Sequence, residues 1–192
     1  MKRAGEPAHQ KFPPCPPSGG GEVRIRLARS GDLPALTRMR LALEAFVKSR
    51  NPLVWDLSRS RAAGLPGFYR RLLRSHDAVA VVAEALPGEE VVGMAIGRLQ
   101  RHPQFEPGRS GKIDDVWVDP RYRRRSVARR MMIQVARHFR QRGIRMLLLE
   151  YAIGNRGAEK AWPRLGFSPV FIGATADVGS VLRRRPAKRS ET

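Results

Sequence analysis

A basic loop between a predicted strand and a predicted helix is the part of the chain with the clearest chemistry. Residues 118–128 read VDPRYRRRSVA, so that an apolar strand end, an arginine-rich loop and the first turn of a helix follow one another. Amides at a helix N-terminus have no partner within the helix and carry partial positive charge. They bind phosphate, and neighbouring arginines add charge-assisted hydrogen bonds. The pattern indicates a diphosphate site, with a solvated basic turn as the alternative.

The elements that would position this loop follow from the periodicity of the apolar residues. Val23, Ile25 and Leu27 alternate with arginines, as in a half-buried strand. Ser30 and Asp32 are residues that start helices, and a helix is predicted to follow, with Leu33, Leu36, Leu43 and Phe46 on one side. In the middle of the chain, the predicted elements are an interrupted helix at 58–74, paired strands at 78–85 and 91–99, and a strand at 113–118. An amphipathic helix follows from 127 to the terminator at 143, and then a strand buried on both faces at 146–149. A short helix at 158–164 and final strands at 167–174 and 178–182 complete the prediction. This order implies an α/β sandwich around a mixed sheet.

Two motifs in the second half of the chain resemble those of the GNAT superfamily of N-acetyltransferases. Residues 123–128, RRRSVA, resemble R/Q-x-x-G-x-G/A and follow the usual V-x-P-x-Y-R lead-in. Residues 155–167, NRGAEKAWPRLGF, resemble N-x-x-A-x-x-x-Y-x-x-x-G-F, and a strand lies between the two motifs. The resemblance implies the GNAT fold, a mixed central sheet of six to seven strands flanked by about four helices, with strands four and five splayed apart.

The resemblance also implies acetyl-CoA as co-substrate. Backbone groups at the end of the fourth strand would pair with its pantetheine arm, and the amides of 124–128 would surround its pyrophosphate. The side chains of Arg123 and Arg129 would contact phosphates, and Asn155 would lie beside the pantetheine. The residues assigned to acetyl-CoA are Trp117, Val118, Arg123, Arg124, Arg125, Ser126, Val127, Ala128, Arg129, Asn155 and Ala158.

Two positions depart from the family pattern. Ser126 stands where the first motif has glycine, which allows the backbone to approach phosphate closely. Its hydroxyl could instead cap the helix or bind a phosphate oxygen. Trp162 stands where many members have a tyrosine that protonates the leaving thiolate, and an indole N–H is not a useful proton donor. Trp162 therefore either shapes the thiol pocket or packs in the core.

The attacking amine must be neutral, so a catalytic base is expected. Glu150 is the first candidate, since it ends the predicted fifth strand and lies five residues before Asn155, as in some family members. Asp114 and Asp115 on the fourth strand are the rivals. Alternation along a strand predicts that they point to opposite faces, so that at most one lines the cleft. For each carboxylate, a structural ion pair is the alternative.

Composition bounds the remaining possibilities. Lysine and arginine total 37 against 17 acidic residues, for a net charge of +20, which attracts polyanions or covers a solvated surface. Residues 1–21 are rich in Pro and Gly and predict a disordered leader, 22–182 the GNAT domain, and 183–192 a basic tail. The single cysteine, Cys15, and the absence of any Cys/His cluster predict neither a disulfide nor a metal site. No apolar run is long enough for a membrane span, which favours a cytoplasmic protein.

Two functions follow from these observations. The first is an N-acetyltransferase that moves an acetyl group from acetyl-CoA to a primary amine of a small molecule or protein by direct attack. The second is a catalytically degenerate GNAT domain that binds acyl-CoA or associates with nucleic acid or the ribosome. The arginine-rich segment 55–74 would repel a polycationic acceptor and favours a neutral or acidic one. Oligomeric state is left open.

Overall fold

The computed structural model describes residues 22–51, 57–104 and 106–183. Within these residues one five-stranded sheet is present, with the strands side by side in sequence order. The strands are β1 (Val23–Leu27), β2 (Ala78–Ala85), β3 (Glu90–Arg101), β4 (Arg109–Val118) and β5 (Leu147–Leu149). Neighbours from β1 to β4 are antiparallel, and β4 and β5 are parallel. The mixed sheet confirms the predicted fold class.

Helices cover both faces of this sheet. They are α1 (Leu33–Arg50), α2 (Arg59–Ala63), α3 (Leu65–Leu73), α4 (Val127–Gln141), α5 (Arg156–Arg164) and α6 (Val178–Arg183). The core on one face joins α1 and α3 to inward residues of β2 and β3, such as Leu36, Tyr69 and Met94. The core on the other face centres on α4, through Met131 and Val135. The four longer helices are those predicted, and the gap between α2 and α3 falls at Gly64 in the interrupted segment.

Two glycines of the sheet make room for a side chain of helix α4. A Cβ atom added to Gly97 of β3 or to Gly111 of β4 would lie 2.8 Å from ring carbons of Phe139 on α4. Distances below about 3.0 Å are repulsive, so a larger residue at either position would push the helix outward. These two glycines therefore leave the space that Phe139, near the C-terminal end of α4, occupies against the sheet.

A β-bulge in β4 changes which side chains share a face. Ile96 of β3 lies opposite Asp115, but the next residue, Gly97, lies opposite Ile113. Asp114 is therefore the extra residue of the bulge, with no β3 residue directly opposite it in the backbone register. The extra residue turns Asp114 to the same face as Asp115, and both line one cavity. The prediction that the two carboxylates point to opposite faces is therefore wrong, because strict alternation does not hold across a bulge.

Strands β4 and β5 splay apart, as predicted. Their pairing covers only residues 111–113 of β4 and the three residues of β5. Residues 114–118 of β4 continue beyond the end of β5 and pair with no strand on that side among the described residues. A gap of this kind gives an extended ligand access to main-chain donors and acceptors in the middle of the sheet.

The C-terminal part of the described chain differs from the prediction. Residues 168–177 form no helix or strand, and 178–183 form α6 where a strand was predicted. The Asp177 carboxylate accepts a hydrogen bond from the Ser180 amide at 2.9 Å, which starts a helix in place of a strand. The six- to seven-stranded sheet is thus reduced to five strands among the described residues. With no strand on its outer side, β5 is half-buried, and the predicted burial on both faces is wrong.

Two further predictions fall on the ends of the chain. The leader at 1–21 and the basic tail from 184 onward lie outside the described residues. Among the residues that are described, no helix combines the length and apolarity that a membrane crossing requires.

Candidate active site

The N-terminus of α4 has the geometry of an anion site. The helix backbone makes its first hydrogen bond from the Arg130 amide to the Ser126 carbonyl, at 3.0 Å. The amides of Val127, Ala128 and Arg129 come before that bond and are available to a ligand. Arg124 and Arg125 in the preceding loop are exposed. The predicted arrangement of loop, arginines and helix start is therefore present, directly after the splayed end of β4.

Ser126 adopts a backbone conformation that favours glycine. Its φ angle is 57° and its ψ angle 13°, in the left-handed region. Its hydroxyl makes no capping hydrogen bond to the helix, so the alternative of a side-chain cap is wrong. The left-handed conformation explains the family preference for glycine at this motif position, because a Cβ atom there costs about 1–2 kcal/mol.

Replacing Ser126 by Gly is expected to stabilise the protein. Relief of the left-handed conformation outweighs the greater entropy of glycine in the unfolded chain by about 0.5–1 kcal/mol, or about 1–4 °C in Tm. Thermal unfolding followed by circular dichroism measures the change. Ser126→Ala is the control, since alanine keeps the Cβ atom and should give no increase. An equal increase in both variants would contradict the explanation by backbone strain.

Arg123 is directed away from the loop surface. Its Nε donates a hydrogen bond to the Val118 carbonyl at 3.0 Å, and its guanidinium lies over the rings of Trp117 and Phe46, at 4.8 Å and 5.1 Å. Burial lowers the pKa of Arg123, and the nearby charge of Arg50 adds to that shift. In this position Arg123 covers the end of β4. Of the two arginines predicted to contact phosphate with their side chains, Arg129 is the one exposed at the helix N-terminus.

The second motif forms the start and inner face of α5. The Asn155 side-chain oxygen accepts a hydrogen bond from the Ala158 amide at 3.2 Å, which caps the helix. Trp162 is half-buried and packs against the core cluster, with its ring 5.6 Å from that of Phe167. Its Nε1 is buried and has no hydrogen-bond partner among the described residues. Trp162 is thus half-buried against the core and is not part of the lining of the cavity that holds the candidate bases.

A cavity of about 230 Å³ opens on the face covered by α1 and α3, at the point where β4 and β5 separate. Its charged lining is Arg40, Arg61, Arg98, Lys112, Asp114, Asp115 and Glu150. Leu57, Leu65 and Phe68 form its apolar wall. The structure therefore brings Glu150 and both aspartates together in one cavity.

The three carboxylates of the cavity differ in how strongly they are held. Asp115 is buried, and its two oxygens pair with Arg40 and with the Tyr69 hydroxyl, the latter at 3.0 Å. Burial raises the pKa of Asp115, and the charge of Arg40 opposes that shift. Asp114 accepts two hydrogen bonds from Arg98, at 2.5 Å and 2.9 Å.

Glu150 lies at the open side of the same cavity. Its side chain is 85% exposed, and Oε1 accepts a single hydrogen bond from Lys112, at 3.2 Å. It is the most accessible of the three carboxylates to a ligand that enters the cavity. Glu150 also directly follows β5, so it borders the splayed gap.

Comparisons with known proteins identify the family. The sequence matches the model of the acetyltransferase (GNAT) family over residues 42–167, about two thirds of the chain. No curated protein sequence shows significant similarity. Many solved structures share the fold. One is a predicted acetyltransferase from Clostridium acetobutylicum with acetyl-CoA, 16% identical, with a TM-score of 0.65 and coverage of 83% of this chain and 98% of the other.

Two further structures have related folds and different named acceptors. An aminoglycoside N-acetyltransferase in complex with CoA is 18% identical, with a TM-score of 0.63 and coverage of 82% and 95%. A ribosomal-protein-alanine N-acetyltransferase from Brucella melitensis biovar Abortus is also 18% identical, with a TM-score of 0.59 and coverage of 81% and 99%. At such low sequence identities the solved structures establish a shared fold only. The family is established by the match of the sequence to the family model. The chain belongs to the acetyltransferase (GNAT) family.

Proposed function

We propose that the protein transfers the acetyl group of acetyl-CoA to a primary amine by direct attack of the amine on the thioester. One observation carries the proposal. The cavity that holds the candidate base Glu150 opens where β4 and β5 separate, on the same strand whose end leads into the α4 N-terminus. An acceptor in the cavity and a thioester in the gap would thus meet beside the unpaired edge of β4.

Each end of the co-substrate has a proposed position. The amides of Val127, Ala128 and Arg129 hold the pyrophosphate, with Arg124, Arg125 and Ser126 around it. The backbone of Trp117 and Val118 pairs with the pantetheine arm, with Asn155 and Ala158 on the opposite side of the gap. Arg123 now bonds the Val118 carbonyl, so we expect this side chain to move when the pantetheine binds.

The chemical step then follows from the groups at the gap. The acceptor attacks as the neutral amine, and Glu150 accepts the proton that the nitrogen loses as the amide forms, directly or through one water molecule. The nitrogen forms a bond to the acetyl carbon, and a free amide of β4 stabilises the developing oxyanion. The C–S bond breaks, and the CoA thiolate leaves and takes a proton from water. No side chain replaces the tyrosine acid in this scheme, because Trp162 stands at that position and packs against the core.

Titration calorimetry with acetyl-CoA, followed by thiol release on a panel of amines, tests the proposal. We expect acetyl-CoA binding, slow thiol release without amine, and acceleration by at least one amine. Binding without turnover on any amine would contradict the proposed transfer and support the alternative of a degenerate acyl-CoA-binding domain. Failure to bind acetyl-CoA, CoA or other acyl-CoA would overturn the proposed cofactor positions.

A further inference from the structure

The charges that line the acceptor cavity are not balanced. Four cations face three carboxylates, and three of the cations are already paired. Arg40 pairs with Asp115 and Glu44. Arg98 binds Asp114 through two hydrogen bonds, and Lys112 binds Glu150. One positive charge therefore remains without a carboxylate among the described residues of the lining.

The remaining cation is Arg61 of α2. Among the residues that the structure describes, no carboxylate lies within ion-pair distance of its guanidinium. The guanidinium stacks on the Phe68 ring, with 5.1 Å between Cζ and the ring centre. Stacking occupies the face of the guanidinium and leaves its N–H edge available, which is the geometry that binds carboxylate or phosphate through two hydrogen bonds.

The position of Arg61 suits recognition of an acceptor. Arg61 contributes to the wall of the cavity from α2, whereas Glu150 and the unpaired part of β4 contribute from the sheet. If the amine of a small acceptor lies near Glu150, the other end of the acceptor points toward α2. The cavity of about 230 Å³ accommodates a small molecule or the end of a peptide chain, and not a large polycation.

We infer that the acceptor carries an anionic group, a carboxylate or a phosphate, which Arg61 binds while the amine lies at Glu150. This inference rests on the proposed acetyl transfer and names the substrate class of that site. The net charge of +20 acts in the same direction, since a positive field attracts anionic molecules to the protein and repels polyamines. Arg61 is thus a specificity-determining residue, and its contribution appears only with anionic acceptors.

Matched pairs of amines test the inference. Butylamine is compared with 5-aminopentanoate, and ethanolamine with phosphoethanolamine, so that each pair differs by one carboxylate or one phosphate at the end away from the amine. We expect the anionic member of at least one pair to have a kcat/KM about tenfold or more above its neutral partner. The pair that responds tells which of the two anions the site prefers.

Variants assign the preference to Arg61. Arg61→Gln should lower kcat/KM for the anionic amine about tenfold and leave the neutral amine within about twofold, because only a charge-assisted hydrogen bond is lost. Arg61→Lys should recover part of the loss, since the charge is kept without the planar guanidinium. Arg59→Gln is the matched control, an exposed arginine of the same helix that is not part of the cavity wall.

The outcomes separate this inference from the proposed function. An enzyme that acetylates the neutral amines as fast as the anionic ones keeps the proposed function and overturns the inference. An anionic preference that survives in Arg61→Gln, or is lost equally in Arg59→Gln, also overturns it, because the preference then arises from the general field of the protein. An enzyme that acetylates no member of the panel overturns both.

Discussion

Replacing Glu150 by Gln is expected to lower kcat about 100-fold or more and to leave acetyl-CoA binding unchanged. A general base contributes about 10²–10⁴-fold to a proton-transfer step, and glutamine keeps the shape of the side chain without accepting the proton. Thiol release at saturating acetyl-CoA and amine measures kcat. Titration calorimetry measures the affinity for acetyl-CoA, which should change by less than about twofold because Glu150 lies in the acceptor cavity.

The geometry favours Glu150 over the two aspartates as the base. A base must offer an oxygen to the amine, and both oxygens of Asp115 and of Asp114 are engaged by partners within the protein. Among the described residues, Glu150 is held only through Oε1 by Lys112, and its side chain is largely exposed at the cavity mouth. Freeing an aspartate oxygen would require breaking a bond to arginine or tyrosine, which adds to the barrier.

Asp114→Asn is the matched control for this prediction. It removes one carboxylate from the same cavity and should change kcat by less than about tenfold, through the altered position of Arg98. The opposite ranking, with Asp114→Asn nearly inactive and Glu150→Gln within about threefold of the wild type, would contradict the assignment. Asp114 would then be the base, and its bond to Arg98 would have to open during catalysis.

Much of the fold could be predicted because its signals are local. Strand β1 follows an apolar alternation at Val23, Ile25 and Leu27, and the amphipathic period of α4 is regular over 15 residues. The bulge at Asp114 could not be predicted, since one extra residue leaves no signal in the sequence and yet turns a side chain to the other face. The apolar residues at 167–182 read as strands, but among the described residues no neighbouring strand pairs with them.

One part of the candidate site could be predicted from the sequence, and another part could not. The phosphate loop could be predicted because its residues are contiguous from Val118 to Ala128 and the helix start fixes their geometry. The acceptor cavity could not, because its lining comes from α1, α2, α3 and the sheet, which are distant in sequence. Arg40, Arg61 and Arg98 were therefore missed, and no local pattern distinguishes them from the many other arginines. Only the general excess of arginine at 55–74 pointed toward the polarity of the acceptor.

Replacing Arg129 by Glu is expected to weaken acetyl-CoA binding about 10- to 100-fold. Arg129 is exposed beside the free amides of the α4 N-terminus, the proposed pyrophosphate site. The substitution removes a charge-assisted hydrogen bond of about 1.5–3 kcal/mol and places a negative charge against the phosphates. The fold should not suffer, because an acidic residue in the first turn of a helix is favourable to the helix dipole. Titration calorimetry gives the affinity, and thermal unfolding checks the stability.

Arg137→Glu separates a local contact from the general field of the protein. Arg137 is an exposed residue of the same helix, about 12 Å along the axis from Arg129, and the change in net charge is identical. At this distance salt at 0.15 M screens an exposed charge strongly, so affinity should fall by less than about twofold. Equal losses in both variants, disappearing together at high salt, would mean that acetyl-CoA is attracted only by the +20 charge. A loss confined to Arg129→Glu and largely retained in salt would support the α4 N-terminus as the pyrophosphate site, since a direct contact is screened much less than a distant charge.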